Sequence, residues 1–345
     1  MTADRNPRLV VAGAGSVGCY VGGCLALAGR HVTLLLRPAL AHAIARHGLR
    51  ITDLDGTDRL VAPSALRLAT DPAAAFAEAD VILVTVKSGD TRDMAALIAQ
   101  HAPSGTSVVS LQNGVGNVEA LLARLGGMAC VVPGMVPFNV VQTRRDDGAP
   151  PRVHRATSGT VVIGTGVGGL RADLHVKGLA VAESRDMTGV LWGKLLLNLN
   201  NALNALAGVP LAAELADRRW RRLLARQIAE GLTALKAAGQ RPARIEGVPP
   251  GAIPRILRLP NWLFRRVARR MLAIAPEARS SMWEDLERRR PTEVDDLQGA
   301  ILALAAKTGV RVPLTRRIVQ LVKEAEAARA GSPELTPEQV GGRAG

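Results

Sequence analysis

The spacing of apolar residues changes near residue 187, and that change divides the chain. Before it, short apolar runs alternate with helical stretches. Residues 8–12 read as a strand, 13–18 as a glycine turn, the stretch from there to Ala28 as a helix stopped by Gly29, and 31–36 as a second strand. Residues 39–47 are helical, and 49–58 carry Asp55-Gly56, a hairpin-turn signal. A buried strand at 80–86 ends at Lys87, a helix follows over 88–101, and a strand over 106–111. Residues 130–137 and 160–164 are further strands, and the glycine-rich 164–169 is a turn or linker. Beyond 187 the period is helical. Residues 220–238 form a helix ending at Gly239, 242–260 a proline-rich loop region, and 262–272 a basic amphipathic helix. Ser280-Ser281-Met282 opens another helix. Pro291 interrupts the pattern, and Thr292-Glu293-Val294-Asp295 has the form of a capping box ahead of a long helix to Lys307 with Gly309 as its cap. The pattern predicts an α/β domain with a parallel sheet over 1–187, an all-helical domain over 188–326, and a small, polar, disordered tail over 327–345.

The stretch 192–204 carries the most informative polar pattern. At 100° per residue, Leu196, Leu199, Leu203 and Leu206 fall within about 80° of one another and form a stripe to bury. Lys194, Asn198 and Asn201 fall within about 60° on another side. That side has an ammonium and two amides but no carboxylate, which suits a pocket for an oxygen-rich ligand. It equally describes a surface lysine with incidental asparagines.

Composition narrows the classes. The chain has 345 residues, 48% of them hydrophobic, enough for two cores. Aromatics are 2%, so stacking platforms for single-stranded nucleic acid are not expected. The net charge of +14 favours anionic ligands, though most of the excess is arginine in helical patterns that read as solvated faces. Three cysteines, Cys19, Cys24 and Cys130, have no metal-site spacing and suggest a reducing, cytoplasmic setting. The polar start leads straight into a strand, so no signal peptide is expected, and no apolar run is long enough to span a bilayer.

Gly13-Ala14-Gly15-Ser16-Val17-Gly18 lies between a strand and a helix with a second strand following, the order of a dinucleotide fingerprint. Gly13 allows the tight turn, Gly15 lets backbone approach a pyrophosphate, and Gly18 lets helix and strand pack closely. The helix opening at Ser16 and Val17 offers free N–H groups to phosphates. Arg37 stands after the second strand, where NAD-binding chains usually carry an acid; an arginine suits the extra phosphate of NADP, or is a loop residue. Lys87 and Asn113 sit just past strand ends, where open α/β sheets bind ligands, although each also suits an ordinary loop or turn.

Taken together, the glycine motif, the strand ending in Lys87, Gln112-Asn113-Gly114, Lys194 with Asn198, and Ser280-Ser281-Met282 followed by Asp285 and Thr292-Glu293 resemble the ketopantoate reductase family (2-dehydropantoate 2-reductase) over roughly residues 8–325. The resemblance implies a Rossmann domain and a helical domain with the active site in the cleft between them. It implies that NADPH reduces 2-dehydropantoate to (R)-pantoate, a step of pantothenate and coenzyme A synthesis. Lys194 would be the general acid and Glu293 would orient the substrate. Asn198 and Ser281 would hydrogen-bond it, Lys87 and Asn113 would border nicotinamide and substrate, and Arg37 would contact the 2′-phosphate. Two positions depart from the pattern: Ala202 and Ala278 stand where the family often has asparagine, and Asn201 lies close enough to replace the first.

The chemistry agrees with the residues. A hydride arriving at a ketone carbon creates an alkoxide, and a nearby lysine stabilises it and supplies the proton. No cluster suggests a metal. The expected partner is a small anionic 2-keto acid, not nucleic acid or membrane, and a homodimer is left open. Two other readings stand beside this one: a reductase of another 2-keto acid, and a non-catalytic NADP-binding regulator, which would bind NADPH and oxidise none.

Overall fold

The computed structural model describes residues 6–143, 149–244, 247–268 and 277–342. The chain forms two compact units that divide between Met187 and Thr188.

The first unit holds twelve strands among the described residues: β1 Leu9–Ala12, β2 Val32–Leu35, β3 Leu49–Thr52, β4 Asp58–Val61, β5 Arg67–Ala69, β6 Val81–Val84, β7 Ser107–Ser110, β8 Cys130–Met135, β9 Val140–Thr143, β10 Arg152–Arg155, β11 Val161–Gly164 and β12 Val181–Ser184. Its helices are α1 Ser16–Leu27, α2 Pro38–His47, α3 Pro72–Phe76, α4 Thr91–His101, α5 Asn117–Leu125 and α6 Leu170–Leu174. Eight strands form one sheet in the order β12-β11-β8-β7-β6-β1-β2-β5, parallel except where β11 meets β8. The central strands are buried from end to end because both faces are covered. Alternate residues part into two cores, as a period of two requires. Leu9, Val11, Leu34 and Leu83 pack with residues of α1 on one face, while Val10, Ala12, Ile82 and Val84 pack with Ala95, Ile98, Leu121 and Leu125 on the other.

The hairpin expected at Asp55-Gly56 joins β3 and β4, with Gly56 at φ +82°. It belongs to a second sheet, ordered β4-β3-β10-β9, which periodicity did not reveal. Its strands are four residues long and half exposed, so their apolar positions make no continuous run.

The second unit is helical: α7 Met187–Asn198, α8 Asn200–Ala207, α9 Leu211–Ala216, α10 Arg218–Ala237, α11 Ile253–Leu257, α12 Asn261–Val267, α13 Ser281–Glu287, α14 Val294–Thr308, α15 Pro313–Ala328 and α16 Pro337–Gly341. Leu196, Leu199, Leu203 and Leu206 are fully buried, as the stripe predicts. Gly231 lets α10 come close to them, since a Cβ there would lie 2.9 Å from Leu196 Cδ2. Among the described residues, no helix is long and apolar enough to cross a membrane.

Several sequence expectations need correction. The single helix over 192–204 is interrupted at Leu199, whose carbonyl accepts a hydrogen bond (3.0 Å) from the buried Gln298 side chain. The capping box at Thr292–Asp295 does not form. Glu326 captures both the Thr292 amide (2.7 Å) and hydroxyl (2.6 Å), Asp295 pairs with Lys323 (2.5 Å), and Glu293 becomes the N-cap residue. The proline-rich region contains α11. The basic helix is α12, and the part expected over 269–272 lies outside the described residues. The tail is ordered through residue 342: α16 is closed by a Thr336–Gln339 capping box, and Val340 is fully buried. Residues 343–345 lie outside the described residues. Arg221, expected on a solvated face, is 1% exposed and donates to the carbonyls of Leu215, Ala216, Leu257 and Leu259 and to Asn261 Oδ1.

Candidate active site

In the first unit, register gathers the sequence-predicted residues along one sheet edge. Ala12 pairs with Val84, and Val84 with Ser110, so β1, β6 and β7 end level. Their C-terminal loops carry Gly13–Gly18, Lys87 and Asn113. From β1 the chain goes first to β2 on one side, and β6 lies on the other, so the edge between β1 and β6 is a topological switch point.

The glycine turn has the expected internal constraints. Gly13 has φ +80°, and a Cβ there would fall 2.1 Å from Val86 Cγ1. A Cβ at Gly18 would come 2.4 Å from Thr85 Oγ1, which is itself held by the carbonyls of Ala12 and Gly13. Gly15 differs: it is exposed, and a Cβ there meets nothing nearer than 3.9 Å. The protein's own packing therefore does not demand glycine at 15, and the backbone there is open to close approach by a ligand. Ser16 and Val17 open α1, whose first turn has no acidic residue to oppose an anion. This cradle fits a dinucleotide pyrophosphate. Arg37 is exposed at the N-cap of α2, after β2, and among the described residues no carboxylate pairs with it.

Lys87 and Asn113 are positioned by a buried amide–hydroxyl network. Gln112 Nε2 donates to Val86 O (3.1 Å) and Thr91 Oγ1 (2.6 Å). The Thr91 hydroxyl donates to Asn117 Oδ1 (2.8 Å), and the Ser88 hydroxyl donates to Asn113 O (2.8 Å). The loops after β6 and β7 are thus tied together, with Lys87 exposed and Asn113 half-buried. Sequence reasoning quoted Gln112 without a role and missed Thr91 and Asn117, whose spacing resembles any helix start.

In the second unit, Lys194 and Asn198 lie on α7, Lys194 half-buried and Asn198 buried. Asn201 is half-buried on α8. Ser281 begins α13 and is exposed, and Ser280 is its N-cap, accepting from Trp283 N–H (3.1 Å). Ser280 also ties α13 to α8: its hydroxyl donates to Asn201 O (2.9 Å), and its N–H donates to Asn204 Oδ1 (2.8 Å). Asn204, fully buried, donates in turn to Val209 O (2.9 Å) and Glu214 Oε2 (2.7 Å). The structure thus joins Asn201 and Ser281, 80 residues apart, through residues the sequence reading did not select. One signal was available, because Glu214 is the only carboxylate between Asp186 and Asp217. Burial pushes its pKa up to about 8, against the bonds from Asn204 and Asn200, which lower it. Glu293 is half-buried at the start of α14, its carbonyl accepting from Asp296 and Leu297 N–H. Gln298, on the same helix, reaches Leu199 beside Asn198.

A switch-point glycine cradle on a parallel sheet, followed by a helical unit with a lysine–amide face, defines the class of Rossmann-type oxidoreductases. The sequence matches the family profile "Ketopantoate reductase PanE/ApbA" over residues 9–168 and its C-terminal counterpart over 186–326, and the chain belongs to this family. A 2-dehydropantoate 2-reductase of Halobacterium salinarum is 32% identical, covering 92% of this chain and 99% of that protein. Among solved structures, a PanE/ApbA family ketopantoate reductase from Ralstonia eutropha JMP134 has a TM-score of 0.77 at 29% identity, covering 93% of this chain and 99% of that one. A 2-dehydropantoate 2-reductase from Geobacter metallireducens GS-15 has a TM-score of 0.74 at 26% identity, covering 92% and 99%. The protein is an oxidoreductase acting on a CH–OH group, of the 2-dehydropantoate 2-reductase type.

Proposed function

We propose that this enzyme reduces 2-dehydropantoate to (R)-pantoate with NADPH, in cytoplasmic pantothenate and coenzyme A synthesis. The observation that carries the reading is the pair of residue sets, one in each unit: a glycine cradle with Arg37 in the first, and the Lys194–Asn198–Asn201 face with Ser281 in the second. The nicotinamide cofactor supplies the hydride. Gly13, Gly15, Ser16, Val17 and Gly18 hold its pyrophosphate, Arg37 its 2′-phosphate, and Lys87 and Asn113 border the nicotinamide end.

The residues of the second unit do the proton chemistry and the orienting. Lys194 Nζ donates a proton to the ketone oxygen as it becomes an alkoxide, and its charge stabilises that oxygen beforehand. Asn198, Asn201 and Ser281 hydrogen-bond the keto acid without adding a competing negative charge. Glu293 lies at the substrate and helps orient it.

The test is NADPH and NADH oxidation against a panel of 2-keto acids. The reading expects the highest efficiency with 2-dehydropantoate and NADPH, and turnover with none of the acids would overturn it. Ala278 favours one variant of it, a broader 2-keto acid reductase. Its methyl makes no polar contact, while its carbonyl is fixed by Leu211 N–H (2.9 Å). Ala278→Asn should then sharpen preference for 2-dehydropantoate over its deoxy analogue by about two- to tenfold, the worth of one hydrogen bond. The ratio of catalytic efficiencies measures this.

A further inference from the structure

We propose that Glu214 is a positioning residue: through Asn204 it fixes the Ser280–Ser281 turn against α8, and so sets the substrate-binding geometry of the second unit. The proposal rests on the assignment of Asn201 and Ser281 to the substrate.

The geometry is a directed relay. An asparagine amide has a donor end and an acceptor end, and its neighbours decide which way it faces. Asn204 has Glu214 Oε2 at 2.7 Å on one end and the Ser280 N–H at 2.8 Å on the other. A carboxyl oxygen can accept from the NH2 end, so the amide oxygen turns to the serine. The same NH2 end also donates to Val209 O (2.9 Å), so Glu214 supplies the shorter of two bonds that hold this orientation and the one that ties it to α9. Ser280 then receives the cap bond from Trp283 N–H and donates to Asn201 O, which locks the start of α13 to α8.

The network suits a neutral acid. Glu214 is 1% exposed, and burial with no charged partner among the described residues resists ionisation. Asn200 Nδ2 lies 3.5 Å from the same Oε2, while the buried Asn200 Oδ1 has no partner. Glu214 is bonded to both asparagines, i and i+4 on one face of α8. Arg221 holds the far end of α9 through the Leu215 and Ala216 carbonyls, so the carboxyl is a fixed anchor.

The experiment uses the full chain with Glu214→Leu and Glu214→Gln. Three quantities are read: the KM for 2-dehydropantoate, NADPH affinity by fluorescence titration, and hydrogen exchange at the Ser280 amide. Glu214→Leu should raise the keto-acid KM about tenfold, the effect of losing one well-placed hydrogen bond, with NADPH affinity unchanged and Ser280 exchange faster. Glu214→Gln keeps an acceptor and a donor and should restore both readouts toward wild type. A purely packing role for Glu214 predicts no selective change of Ser280 exchange in either folded variant, because the Ser280 N–H bond would not depend on an acceptor at 214. If Glu214→Leu does not fold, Asn204→Ala tests the same link by removing the amide that bonds both Glu214 and the Ser280 N–H, and it should raise the keto-acid KM and speed Ser280 exchange in the same way. Unchanged KM and unchanged Ser280 exchange in the folded variants would overturn the proposal. If wild type reduces no keto acid, the assignment of the substrate residues falls, and Ser280 exchange alone decides whether Glu214 holds the turn.

Discussion

Arg37 stands after β2 where an acid would hold an NAD ribose, and among the described residues it has no carboxylate to pair with. Arg37→Ala should raise the Michaelis constant for NADPH far more than that for NADH, and the ratio of the two constants checks it. Glu214 makes a prediction of a different kind. Burial pushes its carboxyl from the ordinary value of 4.5 up to about 8 in the fold. Between those values the native state keeps a proton that the unfolded chain has released, so stability falls as pH rises across this window and levels off above it. Glu214→Gln carries no such proton. Its stability relative to wild type should therefore improve steadily from pH 5 to pH 8, as read by denaturation midpoints at several pH values. The two residues also differ in legibility. Arg37 was picked out because a single strand–loop position singles it out, and Lys194, Asn198 and Asn201 because a helical period groups them, although the structure places the first two on α7 and the third on α8. Asn204 and Ser280 escaped because they are 76 residues apart in the chain, and no local period connects them.

At the scale of elements, the strand–glycine turn–helix unit was legible because its residues are adjacent and two of its glycines, Gly13 and Gly18, are sterically required. Gly18→Ala puts a Cβ against Thr85 Oγ1 and Val11 Cγ1, and the threonine is held in place by two carbonyls. Overpacking of this kind costs about 1–3 kcal/mol. The thermal midpoint of the first unit should fall by several degrees, and calorimetry measures it. The break at Leu199 was illegible because Gln298, which bonds the carbonyl at that point, lies on α14. The capping box at Thr292 failed for a similar reason, since Glu326 on α15 outcompetes the local partner. Glu293 is thereby left at the helix start as the N-cap residue, and its side chain makes no cap bond. Glu293→Gln should impair 2-dehydropantoate use while NADPH affinity by fluorescence titration stays near wild type. A parallel loss of NADPH affinity would assign Glu293 to the cofactor instead.

At the scale of the molecule, the change from strand-and-helix spacing to purely helical spacing was visible in the apolar pattern alone, and the chain divides into two compact units. The second sheet was not visible, because its short strands bury only part of each side and it draws β10 from far along the chain. The high positive charge was a weak guide, because it includes an arginine that is buried as a structural tie. The account's central claim is a division of labour, with the cofactor held by the first unit and the proton supplied by Lys194 of the second. Steady-state NADPH oxidation with 2-dehydropantoate, compared between wild type and Lys194→Ala with NADPH affinity measured alongside, tests it most directly. The account predicts a fall in turnover of about a hundredfold or more, the usual scale for removing an acid catalyst, with NADPH affinity held. Near-normal turnover in the folded variant would contradict it.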